Sequence, residues 1–244
     1  MADKPIIFSA PMVRALLDGR KTQTRRVLKP LPRRTIFFDP QKAGADQFQE
    51  PHYATGDRLW VREAFTTCEK HKFMIAYRAD GECGAWCWDG DGKPIFIHHG
   101  HVLEASPRGQ WGFARYGGRW RSPIHMPRWA SRLTLTVTDV RVQRLQEISE
   151  ADALAEGVPH IHEGNIGDEP YCSKCEGHGV HGAFGAGYGV AEVDCSECVT
   201  ARQKFRNLWS SLHGPGAWEA NPWVAAYSFT VQRGNIDRLQ GDPQ

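Results

Sequence analysis

No stretch of this sequence approaches the roughly 20 consecutive apolar residues that a membrane-spanning helix needs. The opening residues 1–5 carry no basic segment followed by an apolar core, so no secretory signal is visible. Together these two absences lead to the expectation of a soluble, cytoplasmic protein with no membrane partner. Charge of one sign is also lacking. Thirty basic residues stand against 28 acidic ones, a net charge of +2, which argues neither for nor against a nucleic-acid partner. Cysteine is scarce and odd in number, at seven. Without a signal segment, that usage favours metal binding over a disulfide framework. Internal repeats and long linkers are missing too. The reading is one domain over residues 1–244, with insertions at about 63–122 and 159–199.

What is present is a set of short elements. Ile6-Ile7-Phe8 reads as a strand. Ser9 then caps a helix with Pro11 in its first turn, and Gly19 ends it. Residues Lys21 to Leu28 read as extended, stopped by Pro30 and Pro32. Gly56-Asp57 makes a turn into the alternating strand Arg58 to Arg62. Residues 66–127 read as an insertion with short strands, and Arg132 to Val142 alternates as a long one. Ser149-Glu150-Ala151-Asp152 is a variant capping box that opens a short helix closed by Gly157. Ala201 to Leu212 is a helix with Phe205, Leu208, Trp209 and Leu212 on one face. Trp223 to Val231 is the last strand, and the tail after Gly234 is expected to fray. Scattered strands with few helices predict an α+β fold built on a mixed barrel.

Charge is distributed unevenly. Residues 14–34 hold eight basic side chains, Lys21, Arg25 and Arg26 among them, against the single acid Asp18. Tryptophans at 60, 111, 120 and 129 are interleaved with basic residues. Arginine supplies phosphate contacts and aromatics supply stacking, so RNA, single-stranded nucleic acid or a modified nucleoside is the expected partner. A solvated basic face and tryptophans packed in the core are the competing readings.

The strongest local pattern is Cys172-x2-Cys175 with Cys195-x2-Cys198, the pairs separated by 19 residues. Each pair can point two thiolates at one ion, and the intervening segment is too polar and Gly-rich to order itself. The pattern predicts a structural Zn2+ on these four cysteines, since four thiolates leave no open position for catalysis. Cys68, Cys83 and Cys87, with His98, His99 and His101 downstream, have poorer ligand spacing and read as ordinary residues of the insertion.

Gly19-Arg20-Lys21-Thr22-x-Thr24-x-Arg26 resembles the signature of ASCH domains, which are PUA-like barrels associated with RNA. Gly56-Asp57-x-Leu59-x-Val61 is similar to the family's next strand, and Ile148-Ser149-Glu150-x-Asp152-Ala153-x-x-Glu156-Gly157 to its short helix. Asn221-Pro222-Trp223-Val224 through Phe229 is similar to its closing strand. Pro123-x-His125-Met126-Pro127-Arg128-Trp129-Ala130 resembles the longer ASCH proteins of phages and prophages. The resemblance implies a PUA-like mixed β-barrel with short flanking helices, and the cysteine spacing adds a zinc-knuckle insertion to it. One branch of that family removes the acetyl group from N-acetylated cytidine with a Lys, a Thr and a Glu, which fall on Lys21, Thr24 and Glu156. It implies that Thr24 attacks the acetyl carbonyl and Lys21 accepts the Thr24 proton. Glu156 then orients Lys21 or returns a proton to the leaving amine. Arg26 would hold the ring or stabilise charge, and Arg25, Trp60 and Arg62 complete the candidate substrate-binding set. A non-catalytic module that reads a modified base, or a ribonuclease using the same pocket, are the alternative functions. Both Lys21→Ala and Glu156→Ala are expected to leave the fold intact.

Metal analysis of the purified protein is expected to return one zinc per chain. A content far below that would rule out the four-cysteine site.

Overall fold

A computed structural model describes residues 2–31, 44–67, 74–79, 82–88, 94–101, 120–158, 180–184, 190–194 and 200–239. In chain order the elements are β1 (Asp3–Ile7), α1 (Ala10–Leu17), β2 (Gln23–Val27), β3 (Arg58–Arg62), β4 (Phe65–Thr67), β5 (Met74–Tyr77), β6 (Glu82–Trp88) and β7 (Pro94–His101). They continue with β8 (Leu133–Arg144), α2 (Glu150–Ala155), β9 (Val180–Phe184), β10 (Val190–Asp194), α3 (Ala201–His213) and β11 (Trp223–Arg233). The fold is mixed α and β, with most of its regular structure in strands. Among the described residues no helix is long and apolar enough to cross a membrane.

The chain packs into two compact units. One comprises Met1–Leu17, Asp57–Thr136 and Val231–Gln244, and the other Asp18–Gly56 and Val137–Thr230. In the first unit β1 pairs parallel with β3, from Asp3↔Arg58 to Ile7↔Arg62, and β3 pairs antiparallel with the start of β8. Strands β4 to β7 form a separate antiparallel meander in sequence order, which realises the short strands expected of the insertion. Phe65, Ile75, Tyr77, Met126 and Ala130 form a buried cluster of this unit. Its polar counterpart is Glu63, 1% exposed and paired with Arg132 at 2.9 Å, whose guanidinium lies 4.1 Å from the centre of the Tyr77 ring.

The tail departs from the sequence expectation. Of the tail, residues 235–239 are described, and they are tied down, with Ile236 fully buried. The Asn235 side-chain amide donates to the carbonyls of Arg128, Trp129 and Ser131 at 2.8, 3.2 and 2.9 Å. Sequence polarity suggested fraying, but one carboxamide satisfies carbonyls of an irregular turn that has no ladder of its own.

In the second unit the strand order is β8-β11-β2, with β11 antiparallel to β2 and Tyr227 opposite Thr24. Helices α2 and α3 bury Ala153, Ala201, Phe205 and Trp209 with Leu145, Ile148, Val158, Trp218 and Val224. Three of the four residues assigned to the apolar face of α3 pack there, but Leu212 is 49% exposed. It lies in the last turn, where Gly214, at φ 93°, ends the helix. Glu150 of α2 caps α3, its carboxylate accepting from the backbone N–H groups of Ala201 and Arg202. Those bonds pin the start of α3 to α2. Strands β9 and β10 form an antiparallel hairpin from Val180↔Asp194 to Phe184↔Val190.

Asn235→Ala should lower the free energy of unfolding by about 1–3 kcal/mol, the cost of leaving buried carbonyls unpaired. Denaturant titration would measure it, and no change would show that the tail is dispensable.

Candidate functional site

The chain leaves α1 through Gly19, whose φ of 73° suits glycine, and enters β2. At the entrance Lys21 forms an isolated antiparallel bridge with Glu156, and the Thr22 N–H donates to the Ala155 carbonyl at 2.8 Å. Glu156 is the residue that caps the C-terminus of α2, and Gly157, at φ 82°, turns the chain away. Helix end and strand start are thus joined through their backbones before any side chain is considered.

That junction brings Lys21 and Glu156 together in the interior. Lys21 is 1% exposed and Glu156 5%. Lys21 Nζ donates to Glu156 Oε2 at 2.8 Å and to the Glu156 carbonyl at 2.7 Å. The other carboxylate oxygen, Oε1, accepts from Arg25 at 2.9 Å. Arg25 in turn donates to Asp152 at 3.1 Å and to Gln23 Oε1 at 2.6 Å. Arg141 of β8 reaches Asp152 at 2.8 Å, and Gln23 Nε2 is shared between Asp152 and Ser228. One guanidinium face lies 5.8 Å from the centre of the Phe205 ring.

The charges respond to this setting. Burial pushes the Lys21 ammonium below its usual range; Glu156 opposes that shift and the Arg26 and Arg25 charges add to it. Burial by itself would raise Asp152, but hydrogen bonds from Arg141 and Gln23 and the Arg25 charge hold it below the usual carboxylate range. A lysine displaced in this direction is a better proton acceptor near neutral pH than an exposed one.

Thr24 and Arg26 alternate onto the other face of β2 from Gln23 and Arg25. Thr24 is 2% exposed. Tyr227, opposite it on β11, stacks edge-on against Tyr53 at 5.1 Å, and its hydroxyl accepts from the His52 N–H at 3.0 Å. The charge of Arg26 is felt by both tyrosines and by His213, which burial first and Arg26 second push below its ordinary value. This face offers a threonine hydroxyl, a cation and aromatic rings, groups suited to holding a planar polar ligand.

The remaining candidates lie elsewhere. Trp60 and Arg62 belong to the other unit, where the Arg62 guanidinium sits 5.2 Å from the centre of the Trp60 ring. Cys172, Cys175, Cys195 and Cys198 lie outside the described residues, as do Cys68 and Trp111. Cys83 and Cys87 are on β6 and His98, His99 and His101 on its ladder partner β7. Sequence reasoning missed Asp152, Gln23 and Arg141. Asp152 was visible as a cap residue and as part of the short-helix motif, with no role at the site assigned to it. Its backbone N–H does take the Ser149 hydroxyl at 3.1 Å, but its carboxylate turns to Arg25 and Arg141.

Comparison with known proteins found no matching family model, no matching curated protein and no matching solved structure.

The network makes the two halves of the ion pair unequal, which revises the expectation that substitution at either residue leaves the fold intact. Glu156→Gln leaves two buried cations facing a neutral amide and should cost about 3–5 kcal/mol. Lys21→Met removes a desolvated cation while Arg25 still serves Glu156, and should stay within about 1.5 kcal/mol of the parent. Equal losses in chemical denaturation would refute this asymmetry.

Proposed function

We propose that this chain is an ASCH-type protein on a PUA-like mixed barrel that binds RNA or a modified nucleoside and removes the acetyl group from N-acetylated cytidine. The observation that carries the reading is the buried Lys21, held at 2.8 Å by Glu156 and pushed toward its neutral form.

In this reading the Thr24 hydroxyl attacks the acetyl carbonyl and its proton passes to neutral Lys21. As the C–N bond breaks, Lys21 returns that proton to the leaving exocyclic amine. Water then releases acetate from the acyl-threonine, so the sum is water plus amide giving amine and acetate. Glu156 orients Lys21 through the bond that it already makes. Arg26, on the Thr24 face, stabilises the developing oxyanion or the ring.

A non-catalytic reading is favoured by a separate observation. Trp129 is 44% exposed, and Trp60 carries Arg62 against its ring. Exposed tryptophan with arginine suits stacking on an unpaired base. Affinity for single-stranded RNA that falls steeply with added salt supports it, and absent or salt-independent binding argues against it.

The structural zinc also belongs to this proposal. The β9–β10 hairpin pairs Val180 with Asp194, five residues after Cys175 and one before Cys195. The cysteines themselves lie outside the described residues, and the proposal of a four-thiolate site rests on their spacing. When bound, zinc would supply local order and no step of the reaction.

Incubation with N-acetylated cytidine should yield cytidine and acetate. Turnover should rise with pH as Lys21 loses its proton, with a midpoint below the ordinary lysine value of 10.5. Lys21→Ala should reduce kcat at least about 100-fold, the scale of a lost general base. Turnover that is absent, or unchanged in Lys21→Ala, would overturn the catalytic reading.

A further inference from the structure

Arg25 is buried with its side chain fully covered, yet it is not among the residues that carry the family resemblance. Its position is unusual in that it serves two carboxylates at once. One nitrogen reaches Glu156 Oε1 at 2.9 Å and the other reaches Asp152 at 3.1 Å. Asp152 is itself held by Arg141 at 2.8 Å. The Glu156 carboxylate is planar, so an anchor on Oε1 fixes where Oε2 points. Oε2 is the oxygen that meets Lys21.

The charged groups around Lys21 can be counted by element. The C-terminal end of α2 brings Glu156 and, one turn earlier, Asp152. Strand β2 brings Arg25 and Arg26, and both act on Lys21. Strand β8 brings Arg141 against Asp152, and β11 brings Tyr227, which burial first keeps on the neutral side. Glu156 is therefore divided between two cations. A carboxylate wholly devoted to Lys21 would hold the ammonium form; a shared one holds it less.

We infer that Arg25 is the positioning residue of this site: braced by Asp152, it anchors one oxygen of Glu156, aims the other at Lys21, and takes a share of the counter-charge that Lys21 would otherwise have alone. The inference deepens the amidohydrolase reading and rests on it for its functional meaning. The geometry makes a further, signed statement. Removing Arg25 frees Glu156 Oε1, leaves Lys21 a larger share of the carboxylate charge beside the more remote Arg26, and should favour its protonated form. Removing the Asp152 charge leaves Arg25 facing Glu156 alone and should favour the neutral form. A residue that only fills space would not move Lys21 in opposite directions from two sides.

The test is the titration of Lys21 in the full-length protein labelled with 13C at lysine Cε. The sequence has nine lysines, and the Lys21 resonance is assigned by its loss in Lys21→Met. In the parent it should titrate below the other lysines. Arg25→Met should raise its midpoint by about one unit or more, the effect of removing a like charge at this range. Asp152→Asn should lower it, and Arg25→Lys should restore it toward the parent. Where Arg25→Met does not fold, Asp152→Asn decides, because Asp152 is partly exposed. Midpoints that stay put, or that move the same way in both variants, would overturn the inference. If the parent turns over substrate, the kcat midpoint should follow the NMR midpoint in each variant while KM changes little. Absence of turnover with the signed shifts intact would defeat the amidohydrolase reading alone.

Discussion

A carboxylate can be taken out of water only if positive charge and donors come with it, and Glu156 shows how this chain meets that condition. Desolvating an ion costs several kcal/mol, which mutual attraction repays only when the geometry satisfies the remaining lone pairs. Here Lys21 takes one oxygen and Arg25 the other, while the Glu156 backbone carbonyl receives a second bond from Lys21. The same residue ends α2 and bridges to the entrance of β2. Electrostatics and backbone topology therefore meet at a single position. The rest of the second unit can be seen as support for it, with α3 held against α2 by Glu150 and the aromatic core.

Burying such a network is not the cheapest way to make a stable core, since apolar residues of similar volume often do as well or better. Lys21 is displaced toward neutrality by burial, and the displacement is limited by Glu156 and extended by two arginines. Balance of that kind is what a lysine acting as a base near neutral pH requires. On the reverse face of β2, Thr24, Arg26, Tyr53 and Tyr227 provide groups of a different sort, polar and aromatic. The charge of Arg26 nonetheless reaches Lys21 and Glu156, so the two sets of groups are electrostatically connected.

Much of the architecture was legible. Strand β3 begins and ends where the alternation of Arg58 to Arg62 placed it, and the helix over Ala201 ends one residue from its expected stop. Gly19, Gly56 and Gly157 all adopt positive φ at the turns assigned to them. These features are local: a period of two, a capping hydroxyl and a glycine are each decided by a few neighbouring atoms. Leu212 and the tail were misjudged because exposure at a helix end, and order in a polar segment, depend on what lies alongside. For Asn235 that is a turn more than 100 residues away in sequence.

The site divides in the same manner. Lys21, Thr24 and Glu156 were named from resemblance, and their spacing said nothing of contact. The Lys21–Glu156 pair spans 135 positions, and only the docking of α2 against the start of β2 closes that distance. Asp152, legible as a cap, became a brace for Arg25 because its backbone and its carboxylate face different neighbours. From the sequence alone came the element types, the turns, the candidate metal spacing and the fact that cations cluster near β2. Which of those cations is buried, which carboxylate neutralises it and how one carboxylate is shared were settled by tertiary structure. Pairing of charges is a matter of distance in space, and the chain encodes that distance only through the packing of everything around it.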